Sequence, residues 1–70
     1  MDSKALKAQM VLAGINAAEL AQMLDISTVA IYRKINGKSE FTQSELSKIA
    51  QIFKLDAQQI QDIFFAKEVS

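Results

Sequence analysis

Helix-start signals recur along the chain every 11 to 15 residues, and they restrict it to a series of short helices. The signals lie at four positions: Asn16, Ser27, Thr42 and Asp56. Side chains of these types cap helices by accepting a hydrogen bond from a free backbone amide of the first turn. Glu19 and Glu45 each follow a cap by three residues, the spacing of a capping box.

Apolar spacing and helix stops agree with these starts. The sequence has no proline, and its two glycines, Gly14 and Gly37, stand where helices should end. The spacing predicts helices over about Ser3 to Ala13, Ala17 to Leu24 and Thr28 to Asn36, and two more opened by Thr42 and Asp56. The side chains predicted to face the core are Leu6, Met10, Ala13, Leu20, Ala21, Leu24, Ile31, Ile35, Phe41, Leu46, Ile49, Ala50, Phe53, Ile60, Ile63 and Phe64. We therefore expect an all-α fold, a compact five-helix bundle forming a single domain over residues 1–70.

Composition narrows the function classes. The chain has no cysteine and no histidine, which removes disulfides and the commonest catalytic and zinc-binding groups, and its capping carboxylates have structural roles. We expect no enzyme activity, no cofactor and no metal. No apolar run has the length of a membrane span or signal peptide, so we expect no membrane association and a cytoplasmic location.

Charge is segregated along the chain. Eight basic residues balance eight acidic ones overall, but residues 28–54 carry a net +3. A local positive patch can attract a polyanion even when the whole chain is neutral.

The second and third predicted helices are joined by only about three residues. Such a link forces a large crossing angle and lets the second helix project into a DNA major groove. Ile31 and Ile35 would face the core, while the side chains between them point outward. The outward residues are Thr28, Val29, Tyr32, Arg33 and Asn36.

The stretch "ELAQMLDISTVAIYRKING", followed by "KSEFTQSEL" and a late "IFF", resembles the helix-turn-helix of the Cro and phage-repressor class of bacterial transcriptional regulators. The resemblance implies a lambda-repressor-like domain that binds double-stranded operator DNA, usually as a homodimer on a palindromic site. It places Thr28, Val29 and Tyr32 at base-reading positions, and Arg33, Asn36 and Lys38 where contacts to the DNA backbone are usual. The expected protein is a phage or prophage repressor or a Cro-like switch protein.

Two positions depart from the family pattern. Asp25 stands where the family usually has a turn glycine in a left-handed conformation, which aspartate tolerates better than most residues. Ala17 replaces a frequent glutamine that holds a phosphate, so we expect modest monomer affinity and a need for dimerisation.

Other interpretations remain open. The same fold without DNA binding would serve as a protein-interaction module, such as an antirepressor or regulatory partner. The chain could also be the N-terminal domain of a longer repressor. Phe64 and Phe65 are adjacent, so one helix face cannot bury both, and one is either exposed for a partner or folded back onto the domain.

Overall fold

The computed structural model describes residues 1–65, which form five α-helices joined by short links. The helices are α1 (Ser3–Ala13), α2 (Ala17–Leu24), α3 (Thr28–Ile35), α4 (Gln43–Ile52) and α5 (Ala57–Phe64). This part of the chain has no strand, and the prediction of an all-α five-helix bundle is confirmed. Helix α3 ends one residue before the expected Asn36, which becomes its C-cap.

The predicted caps open the helices. Asn16 Oδ1 accepts the Glu19 amide at 2.8 Å, and Glu19 Oε1 accepts the Asn16 amide at 3.0 Å. The same reciprocal box forms between Thr42 and Glu45. Ser27 caps α3 as predicted. These bonds satisfy amides that have no partner within the helix, so the helix starts follow from local sequence.

Each of the first four helices is followed by a left-handed residue and then by a backbone bond that reaches back five residues. The left-handed residues are Gly14 (φ 68°), Asp25 (φ 57°), Gly37 (φ 79°) and Lys54 (φ 54°). After Lys54, for example, the Leu55 amide donates to the Ala50 carbonyl at 2.9 Å. This is the Schellman arrangement, and it satisfies carbonyls at the ends of the helices. The left-handed conformation expected of Asp25 is confirmed, whereas that of Lys54 was not anticipated.

The core joins all five helices. Its buried side chains are Leu6, Met10, Leu20, Ala21, Leu24, Ile31, Ile35, Ile49, Ile63 and Phe64. Helix α1 contacts α3 and α5, and the Asp2 amide donates to the Ile63 carbonyl at 2.6 Å. Ala13 was predicted to face the core but is exposed, because it is the last residue of α1 and the chain turns away at Gly14.

Two aromatic side chains pack the loop before α4 against the end of α5. Phe41 is half-buried and meets Phe64 edge-on, with ring centroids 5.8 Å apart. Phe64 is buried, whereas Phe65 is 56% exposed. The expectation that one helix face cannot bury both rings is therefore confirmed. The last five residues of the sequence lie outside the described part.

Candidate nucleic-acid interface

The turn between α2 and α3 consists of Asp25, Ile26 and Ser27 and is closed by its own backbone. The Ile26 amide donates to the Ala21 carbonyl at 3.0 Å, and the half-buried Ile26 side chain packs against the core. Ser27 Oγ then accepts the Ala30 amide at 3.1 Å, which starts α3. A three-residue turn bonded at both ends fixes α3 relative to α2, and these two helices make the most extensive helix–helix contact in the described chain.

Helix α3 has an inner and an outer face. Ile31 is fully buried and Ile35 nearly so, one turn apart on the inner face. On the outer face Val29 is 65% exposed and Tyr32 is 52% exposed. An exposed valine and tyrosine on a helix whose core contacts are already complete form a surface with no packing role in the described domain.

All six residues predicted to contact DNA are exposed. Four lie on α3, one caps it and one lies in the following loop: Thr28, Val29, Tyr32, Arg33, Asn36 and Lys38. Thr28, Tyr32 and Asn36 recur every four residues, and so do Val29 and Arg33, which places these five on one strip of helical surface. The Lys38 amide donates to the Arg33 carbonyl at 2.9 Å, which holds the loop against the last turn of α3. The structure therefore places the six residues close together on the surface formed by α3 and the loop that follows it.

Lys34 has a different role from its neighbour Arg33. Its ammonium forms an ion pair with Glu45 Oε1, and both side chains are largely buried, at 14% and 10% exposure. Its nitrogen also lies 5.8 Å from the centroid of the Phe41 ring. Lys34 thus links α3 to α4 and does not belong to the exposed surface.

The Glu45 carboxylate accepts hydrogen bonds from both the Lys34 ammonium and the Thr42 amide. Burial disfavours its charged form and raises its pKa, but hydrogen bonds from Lys34 and the Thr42 amide, together with the Lys34 charge, outweigh burial and lower the pKa below the ordinary 4.5. The carboxylate is therefore ionised at neutral pH and is a structural group. The sequence predicted Glu45 as a capping residue but not this ion pair. The available signal was the position of Lys34, three residues after Ile31 and beside the inward face of α3.

The surface charge near α3 is small and mixed. The Lys34–Glu45 pair removes one charge of each sign, so the net +3 of residues 28–54 is carried by exposed side chains such as Arg33 and Lys38. Asp25, at the turn, is exposed and negative. The charge pattern supports local attraction to a polyanion with an opposing charge at the start of α3.

Within residues 1–65 no group of acidic side chains is arranged to hold a metal ion. No helix in this range is long and apolar enough to cross a membrane.

Comparisons with known proteins give one family. Neither the curated proteins nor the solved structures compared with the chain give a match. The family model of the BetR domain matches residues 4–69, nearly the whole chain. This supports the resemblance to helix-turn-helix regulators in coarse terms, without reaching the Cro and phage-repressor class. The chain belongs to the BetR domain family, whose members are small helical domains, commonly helix-turn-helix-like regulator domains.

Proposed function

We propose that this domain is a sequence-specific double-stranded DNA-binding transcriptional regulator, a phage or prophage repressor or Cro-like switch protein of the bacterial cytoplasm. The observation that carries the proposal is the outer face of α3, exposed at Val29 and Tyr32 while Ile31 and Ile35 hold the inner face. Family membership supports the regulatory role in general. The domain would act by occupying DNA, without a cofactor or catalysis.

The base-reading residues would lie toward the start of α3. Val29 offers methyl groups to a thymine methyl, Thr28 offers a hydroxyl that donates or accepts at a base edge, and Tyr32 adds a phenol one turn along. The strip from residue 28 to residue 36 is about 12 Å long at 1.5 Å per residue, the length of roughly three to four base pairs at 3.4 Å each. One domain would therefore read a short half-site.

The flanking residues would hold the DNA backbone. Arg33 supplies a charge and a planar set of donors for phosphate oxygens, and Asn36 and Lys38 extend the contact past the helix. Two or three phosphate contacts give one monomer only modest affinity. A homodimer would supply the remaining affinity by binding a two-fold operator whose half-sites are about one DNA turn apart.

Selection of duplexes from a random library, followed by fluorescence anisotropy on the selected site, tests the proposal. Tyr32→Ala should weaken binding roughly tenfold and relax sequence preference, because it removes a base contact. Arg33→Ala should weaken all sequences about equally and lower the salt dependence by about one counterion. Lys4→Ala, on the exposed side of α1, is the matched control and should change little.

Two results would contradict the proposal. One is the absence of binding to any duplex at low salt. The other is equal weakening by Lys4→Ala and Arg33→Ala, because the attraction would then be general and not located on α3. Failure of all DNA binding in a folded protein would favour the protein-interaction module instead.

A further inference from the structure

Helix α1 carries the two most exposed large apolar side chains of the described residues, at positions unrelated to α3. Val11 is 79% exposed and Leu12 is 80% exposed. Leu6 and Met10 already supply the buried contacts of α1, so this pair adds nothing to the core. A single exposed leucine is ordinary, but two adjacent branched side chains beside a groove mark a surface that association would cover.

The groove beside them, here called the α1 groove, has a volume of about 400 Å³ and is open to solvent. Its lining residues are Lys7, Met10, Val11, Gly14, Ile15, Asn16 and Glu19. The floor is apolar, from Met10 and the half-buried Ile15. None of the six residues proposed to contact DNA lies in it.

The α1 groove carries one positive and one negative side chain, so its charges can pair with those of the same groove on a second copy. Lys7 and Glu19 both line it, are exposed and carry opposite charges. Within residues 1–65 the ion pair is Lys34–Glu45. Lys7 and Glu19 therefore do not neutralise each other within one copy of the chain. Two copies related by a two-fold axis present the same patch to each other, and Lys7 of each copy can then meet Glu19 of the other, twice.

The groove beside Phe65 suits a second copy less well. Its lining includes Ser3, Ser39 and Glu40, which would lose water on association, and it also includes Asn36 of the proposed DNA surface. A partner seated there would compete with DNA for Asn36. The α1 groove is also lined by polar side chains, Lys7, Asn16 and Glu19, but it contains none of the six residues proposed to contact DNA.

We propose that the α1 groove is a self-association surface and that its occupant is a second copy of this chain, with Val11 and Leu12 of each copy packed against the groove of the other. The inference rests on the proposed function in one respect, because it assigns the dimer contact that operator binding requires. Self-association is measured without DNA, so the inference and the proposed function can fail separately.

Charge reversal with mixing gives the sharpest test. Lys7→Glu and Glu19→Lys should each weaken self-association at least about fivefold by sedimentation equilibrium, because each places like charges opposite each other twice. An equimolar mixture should associate about as well as the wild type, because every facing pair is again opposite in sign. Glu19→Lys also removes half of a capping box, so circular dichroism must show that it remains helical. If the mixture associates no better than the separate variants, the proposal is overturned.

Removal of the apolar pair is the second test and does not affect any cap. Val11→Ser with Leu12→Ser should weaken association at least about tenfold, whereas Phe65→Ser, at the other groove, should leave it unchanged. The reverse outcome assigns the dimer to the Phe65 groove and overturns the proposal. So does a wild-type protein that stays monomeric up to about 1 mM. A dimer that passes both tests but binds no DNA supports this inference and defeats the proposed function.

Discussion

Glu45→Gln isolates the contribution of the buried ion pair between α3 and α4. Glutamine serves a capping box as well as glutamate does, as Gln59 shows at the start of α5, so the variant keeps the cap and loses the charge. Lys34 then lies at 14% exposure without its counter-charge. An exposed pair contributes up to about 1 kcal/mol and breaking a fully buried one costs about 3–5 kcal/mol. For this largely buried pair, with a neutral acceptor left in place, we expect a loss of about 1.5 kcal/mol in the free energy of unfolding.

The loss is measurable by urea titration followed by circular dichroism. For a domain of this size it corresponds to a fall in Tm of roughly 6–12 °C. Glu19→Gln is the matched control, because Glu19 occupies the same capping position in α2 but is exposed and has no ion pair within residues 1–65. In protein dilute enough to be monomeric, it should change stability by less than about 0.5 kcal/mol. A Glu45→Gln variant no less stable than the Glu19→Gln control would refute the role assigned to the pair.

The pH dependence gives a second check on the same residue. The pKa of Glu45 in the folded state is below its ordinary value of 4.5, so its ionised form stabilises the fold above that pH. This contribution is lost as pH falls through the folded-state pKa. The stability difference between wild type and Glu45→Gln should therefore be constant near neutral pH and shrink below about pH 4.5. A difference that persists unchanged to pH 3 would show that charge is not its cause.

The remaining predictions concern two left-handed residues. Lys54→Gly should raise the free energy of unfolding by about 0.5–1 kcal/mol in the same titration, because glycine adopts φ 54° without strain, whereas Lys48→Gly inside α4 should lower it by about 1 kcal/mol. Equal signs for the two would contradict the backbone argument. Asp25→Asn keeps a side chain suited to φ 57° and removes a negative charge near the proposed DNA surface. It should leave stability within about 0.5 kcal/mol and tighten DNA binding about threefold at low salt; an unchanged affinity would place Asp25 away from the phosphates.

Helix boundaries could be read from the sequence because local contacts set them. Asn16 with Glu19 and Thr42 with Glu45 bond residues three apart, and the left-handed turns at Gly14 and Asp25 depend on the residue and its immediate neighbours. The outer face of α3 was equally accessible, because Ile31 and Ile35 fix which side is inward and helical geometry fixes the rest.

Features that depend on what lies across the bundle could not be read in the same way. The sequence shows Arg33 and Lys34 as two adjacent cations, but only the packing of α4 beside α3 brings Glu45 to one of them. Lys54 adopts a left-handed conformation that lysine disfavours. This conformation turns the chain so that the Leu55 amide donates a hydrogen bond to the Ala50 carbonyl. The cost of that strain is met by contacts made elsewhere.

The sequence by itself therefore determined the five helices, their caps and the outward strip on α3, because hydrogen bonds within a few residues and a 3.6-residue period are properties of the local chain. Tertiary structure alone decided that Lys34 pairs with Glu45, and that Val11 and Leu12 remain uncovered beside a groove rimmed by Lys7 and Glu19. Burial and pairing of these groups depend on which helices pack together. Residue spacing along one helix does not show which other helix will lie against it.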